Sequence, residues 1–163
     1  MDIDIRPAQP AQTGLILAFI RRLADYEKRL ESVVVTENAL AEHLFGERPW
    51  AEAILAYLNG TPVGFALFFP IYSTFQGRMG LYIEDLFVEP AHRRLSIGAR
   101  MIAYLAHEAV RRGGNRLEWS VLTWNESAIA FYRRLGALPK DEWRHYELQG
   151  AALAALAVEP SAR

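Results

Sequence analysis

The chain of 163 residues contains no cysteine. That excludes disulfides, thiolate zinc sites and a cysteine nucleophile, and with it any thioester-linked enzyme intermediate. It also lacks charge imbalance. A formal net charge of −1 gives no general affinity for nucleic acid or for an anionic membrane surface. No apolar run approaches the roughly 18 residues that a membrane span needs. The opening "MDIDIRPAQP" is acidic and lacks the apolar core of a signal peptide. A cytoplasmic protein with neither a nucleic-acid nor a membrane partner is the expectation. His43, His92, His107 and His145 show no metal-ligand spacing, so no metal is expected. Repeats, low-complexity tracts and domain linkers are missing too. What remains is a chain that is 52% hydrophobic, enough to pack one core, and residues 1–163 are read as one domain.

The pattern along the chain is mixed. "IDIRPA" reads as a short strand stopped by Pro7. Residues 10–29 carry apolar side chains at three- and four-residue steps and predict a helix. Residues 36–45 predict a second, capped by Thr36 and closed by Gly46. "AEAILAYLNGTPVGFALFFPIY" is two strands around Asn59-Gly60, with Thr61-Pro62 able to lengthen the loop. "GLYIEDLFVEP" predicts a strand. Residues 97–112 form a helix with Ile97, Met101, Ile102, Leu105 and Ala109 inward. "RLEWSVLTW" predicts a strand and Asn125 caps a helix that Gly136 ends. "WRHYEL" reads as a last strand and "AALAALA" as a terminal helix. The order β-α-α-β-β-β-α-β-α-β-α predicts a layered α/β fold with a mixed sheet.

Between strand and helix lies "VEPAHRRLSIGARMI", residues 88–102. Helix amides without internal partners, the helix dipole and two arginines favour an anion there. On the preceding strand Glu84 and Asp85 are adjacent, so alternation sends them to opposite faces. It groups Glu84 with Tyr82, Leu86 and Val88, and a carboxylate on an apolar strand is costly unless paired or used. Asp85, on the other face, is read as structural.

The basic turn resembles the pyrophosphate loop of the GCN5-related N-acetyltransferases, whose pattern is Arg/Gln-x-x-Gly-x-Gly/Ala. Arg93, Ser96 and Gly98 fill its defined places, with serine for the first glycine. "LYIEDLFVEPAHR", "LEWSVLTWNESAIAFYRRLGA", "LADYEKRLE" and "DEW" are similar to the diamine subgroup, which includes spermidine/spermine and thialysine N-acetyltransferases. The resemblance runs from Ile5 to about Ala157. It implies a mixed, mostly antiparallel sheet of about six to seven strands flanked by helices. It implies acetyl-CoA as co-substrate, held by Leu86, Phe87, Val88, Arg93, Arg94, Leu95, Ser96, Ile97, Gly98 and Ala99, and by Asn125, Ser127 and Ala128. It makes Glu84 the base, through water, and Tyr132 the acid that protonates the departing sulfur; against these stand a structural carboxylate and a core tyrosine. Backbone of residues 86–88 would stabilise the carbonyl oxygen where the strand splays from its neighbour.

The acceptor implied is a primary amine of a small molecule: a polyamine, thialysine or a lysine-like amine. Tyr26, Glu27, Glu84, Glu118 and Trp119 are the residues expected to bind it. A protein or peptide amine is the alternative, and Ser96 alone admits a silent acetyl-CoA-binding module. Subgroup members commonly pair, so a homodimer is expected.

Overall fold

Hydrophobic alternation builds five strands: β1 (Ile3–Pro7), β2 (Glu52–Leu58), β3 (Thr61–Ser73), β4 (Arg78–Val88) and β5 (Leu117–Trp119). They form one sheet in chain order. Every pairing is antiparallel except that of β4 with β5. The computed structural model describes residues 1–157. It divides into a compact unit Met1–Thr123 and a second unit from Trp124 onward.

The first unit holds the sheet and three helices, α1 (Thr13–Tyr26), α2 (Glu37–Phe45) and α3 (Ile97–Arg111). On one sheet face Ala53, Leu55, Phe65 and Phe87 pack with Ile16, Leu17 and Phe19 of α1 and Leu40 and Leu44 of α2. Phe19 stacks on Phe65 with ring centroids 5.8 Å apart. Full burial of such a side chain is worth about 1.5–3 kcal/mol. The opposite face, with Ile54, Ala66, Phe68, Leu81 and Ile83 buried, carries α3. There Arg112 lies over Phe68 and bonds to Glu52. Ile97, Met101, Ile102, Leu105 and Ala109 are the buried residues of α3, the stripe that the periodicity predicts.

Local signals hold as well. Asn59 and Gly60 both have positive φ, +49° and +82°, the backbone of a tight two-residue hairpin turn. β3 starts at Thr61, so the loop is not lengthened. Thr36 accepts from the amide of Ala39 at 3.2 Å and caps α2.

The second unit contains α4 (Glu126–Arg134) and α5 (Gly150–Leu156). Asn125 Oδ1 accepts from the Ala128 amide at 3.3 Å. Gly136 ends α4 at φ +86°, a left-handed angle that glycine takes without a Cβ clash.

Two strand expectations need correction. The stretch "RLEWSVLTW" is strand only at Leu117–Trp119. "WRHYEL", residues 143–148, has no regular structure, and Trp143, Tyr146 and Leu148 are exposed. Alternation makes a strand only where a neighbour supplies backbone partners and a surface to cover. The sheet therefore has five strands, fewer than the six to seven expected.

Candidate active site

The chemistry-bearing end of β4 departs from simple alternation. Leu67 pairs with Asp85, yet the next residue of β3, Phe68, pairs with Ile83. Glu84 is the extra residue of a β-bulge. Past the bulge the faces exchange. Asp85 sits opposite Leu67 and Phe87 opposite Phe65, on the α1 face, where Tyr82 also lies opposite Phe69. Leu86 pairs with Ala66 on the α3 face. The expected grouping of Glu84 with Tyr82, Leu86 and Val88 is thus corrected. Glu84 is exposed, and Asp85 is the carboxylate drawn inward.

Burial and the neighbouring charges of Glu84 and Glu27 raise the Asp85 carboxyl to about 7. Among the described residues no cation acts to lower it. Glu27 is the C-cap of α1, and burial raises its carboxyl while Arg29 opposes the shift. A carboxylate at a helix C-terminus also faces the wrong end of the dipole. Acidic groups on α1 and β4 are therefore held close together at a cost to folding.

The same segment has a free side. β5 pairs with β4 only from Leu81 to Ile83. Among the described residues no strand pairs with Glu84–Val88 on that side, so backbone there is open to other partners. Glu118 lies opposite Tyr82, on the acidic face, but its carboxylate is 2.7 Å from Arg116 Nε. Trp119 lies opposite Ile83, on the α3 face. The register thus puts Trp119 on the sheet face opposite that of Tyr82, Asp85 and Glu118; it was grouped with Tyr26, Glu27, Glu84 and Glu118.

Beyond β4, the loop into α3 contains Arg94 and Ser96 at φ +64° and +63°. Such residues interleaved with ordinary ones turn successive amides toward a common point, an anion nest. Ser96 is not the extended N-cap that would have been cheapest. Its backbone is left-handed and its side chain caps no amide. The first turn of α3 carries no acidic residue either. Its amides and dipole are left for an external anion, so the loop fits a pyrophosphate at the expense of backbone strain. The half-buried Leu95 lies within this turn and Gly98 and Ala99 follow it, whereas Ile97 is core. Phe87 is core too, 3% exposed, so only its backbone can meet a ligand. Arg93 is engaged by the protein itself. Its Nε donates to the Val88 carbonyl at 3.0 Å, and its guanidinium lies 4.6 Å from the Tyr26 ring centroid.

In the second unit Asn125, Ser127 and Ala128 occupy the N-terminal end of α4. Tyr132 lies further along it, half-buried, with its ring centroid 5.2 Å from that of Phe131. Among the described residues no group of three or more His, Asp or Glu side chains could hold a metal ion. Strand alternation did not foresee that Asp85, read as structural, is the carboxylate drawn in among Glu84 and Glu27; a bulge leaves no mark in one sequence.

Residues 18–137 match the model of the acetyltransferase (GNAT) family. The chain belongs to that family. It is an acetyl-CoA-dependent N-acetyltransferase, and the diamine-subgroup resemblance holds at the level of whole chains. A thialysine N-epsilon-acetyltransferase of Sus scrofa is 36% identical, covering 94% of this chain and 96% of its own. An L-ornithine N5-acetyltransferase of Arabidopsis thaliana is 30% identical, covering 93% and 86%. The family fold recurs in a V. cholerae integron cassette protein, at TM-score 0.81, 25% identity and coverage of 97% and 99%.

Proposed function

We propose that this enzyme acetylates a primary amine of a small molecule, of the lysine-like, thialysine or polyamine type, by direct attack on acetyl-CoA. The observation that carries the reading is the half-buried Asp85 beside Glu84 and Glu27 with, among the described residues, no cation to offset it. An alkylammonium, with an ordinary pKa of about 10.4, supplies the missing charge. Similarity to acetyltransferases of thialysine and ornithine supports the same substrate class.

In this reading Tyr26 and Glu27 bind the amine, and Asp85 ionises when the ammonium arrives. Glu84, exposed on the bulge, takes the ammonium proton through water. The amine nitrogen then bonds to the acetyl carbon as the C–S bond breaks. Tyr132 gives its proton to the departing sulfur. A phenol, with an ordinary pKa of about 10, is still protonated at neutral pH and can donate as the C–S bond breaks. The proton that the nitrogen sheds on becoming an amide restores the phenol through water. Backbone of residues 86–88, on the side β5 leaves open, receives the developing oxyanion. The Arg94–Ala99 turn cradles the pyrophosphate, and Asn125, Ser127 and Ala128 hold the pantetheine arm.

The whole chain acts as one catalytic domain; the family match crosses from the first unit into the second. It works in the cytoplasm without nucleic-acid, membrane or metal partners. Its near-neutral charge supports the reading for nucleic acid and anionic surfaces. A homodimer would cover apolar side chains such as Leu138, Trp143 and Tyr146, exposed by 87%, 67% and 90%. A monomer mass by light scattering at micromolar protein would refute the pairing.

The test of function is CoA release across a panel of lysine, thialysine, ornithine, diaminoalkanes, polyamines and lysine peptides. Turnover confined to small amines is expected. Turnover of peptides alone, or acetyl label retained on the protein without amine, would overturn the reading.

A further inference from the structure

We propose that Arg93 is a positioning residue of the amine site: it fastens the end of α1 to the loop that leads into α3. The inference rests on the amine-acetylating reading above. Its contacts with the protein add a second role to the pyrophosphate place that the motif gives it. Nε donates to the carbonyl of Val88, at the end of β4, at 3.0 Å. The guanidinium carbon lies 4.6 Å from the Tyr26 ring centroid and 5.9 Å from that of Phe87. Both distances are within about 6 Å, where a ring quadrupole attracts a cation. The side chain thus bridges β4, its own loop and α1.

The same joint is made a second time in the opposite direction. Arg22 of α1 donates to Glu89, just before the loop. Arg22 and Tyr26 are four residues apart and share one stripe of the helix. Phe19, three residues before Arg22, extends that stripe and meets Phe87 with ring centroids 6.1 Å apart. Glu27 follows directly, its amide bonded back to the Leu23 carbonyl. Movement of the loop is therefore movement of Tyr26 and Glu27. Cofactor affinity on one side of Arg93 and amine affinity on the other become coupled, and such coupling is reciprocal.

The test is a double-mutant cycle on the full enzyme, with the amine it turns over best as probe. Arg93→Met is expected to raise the amine KM about 5-fold, the equivalent of a cation–π contact of about 1 kcal/mol. Because the motif also gives Arg93 a place at the pyrophosphate, the acetyl-CoA Kd is measured beside it and the amine KM is read at saturating acetyl-CoA. Arg93→Lys keeps a cation near the ring but loses the Nε bond, and should fall between. In a Tyr26→Leu background Arg93→Met should add nothing to KM, whereas in Tyr26→Phe it should keep its effect. An amine KM unchanged at saturating acetyl-CoA, whatever happens to acetyl-CoA affinity, would overturn the proposal. So would independent, additive effects of Arg93 and Tyr26. If Arg93→Met does not fold, Arg93→Lys completes the cycle. Absence of turnover in the unaltered enzyme would fail the functional reading instead, which separates the two.

Discussion

The two ends of β4's final segment meet opposite demands. At the bulge, carboxylates stand together and one is pressed inward, so strain is electrostatic. At the loop into α3, side chains are cationic, with Arg93 already engaged, and the strain is in the backbone of Arg94 and Ser96. Withheld counter-charge favours a cation at the first end. Backbone bent until amides converge favours an anion at the second. The first kind of strain responds to pH and the second does not, which makes the two separable by experiment.

The largest expected effect adds a third element, the acid. Tyr132→Phe keeps the ring and removes the proton donor. It should lower kcat by about 10²-fold or more with acetyl-CoA Kd nearly unchanged by calorimetry. An unaltered kcat would remove acid catalysis from the scheme. Glu84→Gln should lower the rate about tenfold at neutral pH, with the loss shrinking as pH approaches the amine's own pKa. A pH–rate profile parallel to that of the wild type would break the assignment of the base.

Asp85→Asn tests the electrostatic end directly. With a folded-state carboxyl raised to about 7 from its ordinary value of 3.8, the folded state binds the proton more tightly than the unfolded chain. The stability contributed by the protonated group is full below about pH 4 and is lost as pH rises through 7. Asn cannot ionise, so the variant should melt a few degrees higher than wild type at pH 8. The gap should close near pH 4, as read by thermal scans. A pH-independent gap would mean that Asp85 is not held protonated. Smallest is Ser96→Gly. Relief of a left-handed serine is worth about 1 kcal/mol, or roughly 2–4 °C in Tm for a chain of this length, at every pH. Acetyl-CoA affinity should stay within a few-fold. Binding that appears only in the glycine variant would revive the silent-module alternative.

Much of this arrangement is legible in the sequence because it is periodic or chemically local. The inward stripe of α3, the Thr36 and Asn125 caps and the Asn59-Gly60 turn each depend on residues within a few positions. What escaped depends on partners far along the chain. The Glu84 bulge exists because β3 and β4 slip by one residue between Phe68 and Leu67, and no pattern within β4 announces it. Ser96 has an inexpensive local conformation available, and the loop's geometry overrides it. Residues 143–148 alternate as a strand should, but alternation says nothing about whether an edge is there to receive them.

The bulge has an hereditary consequence. Phe87, two residues past Asp85, is buried against Phe19 and Phe65. Deleting Glu84 would leave Leu67 opposite Asp85 and Phe68 opposite Ile83 in plain alternation, so Asp85 and Phe87 would keep the α1 face and only the bulge would go. Inserting one residue into β3 between Leu67 and Phe68 would instead set the two halves of the pair against each other: either Asp85 and Phe87 leave the α1 face, or Phe68 and Ile83 leave the α3 face. Such an insertion cannot drift neutrally, because it would be eliminated as a folding defect before any substrate was tried. The facing of Asp85 is thereby guarded by a phenylalanine two residues away in the core.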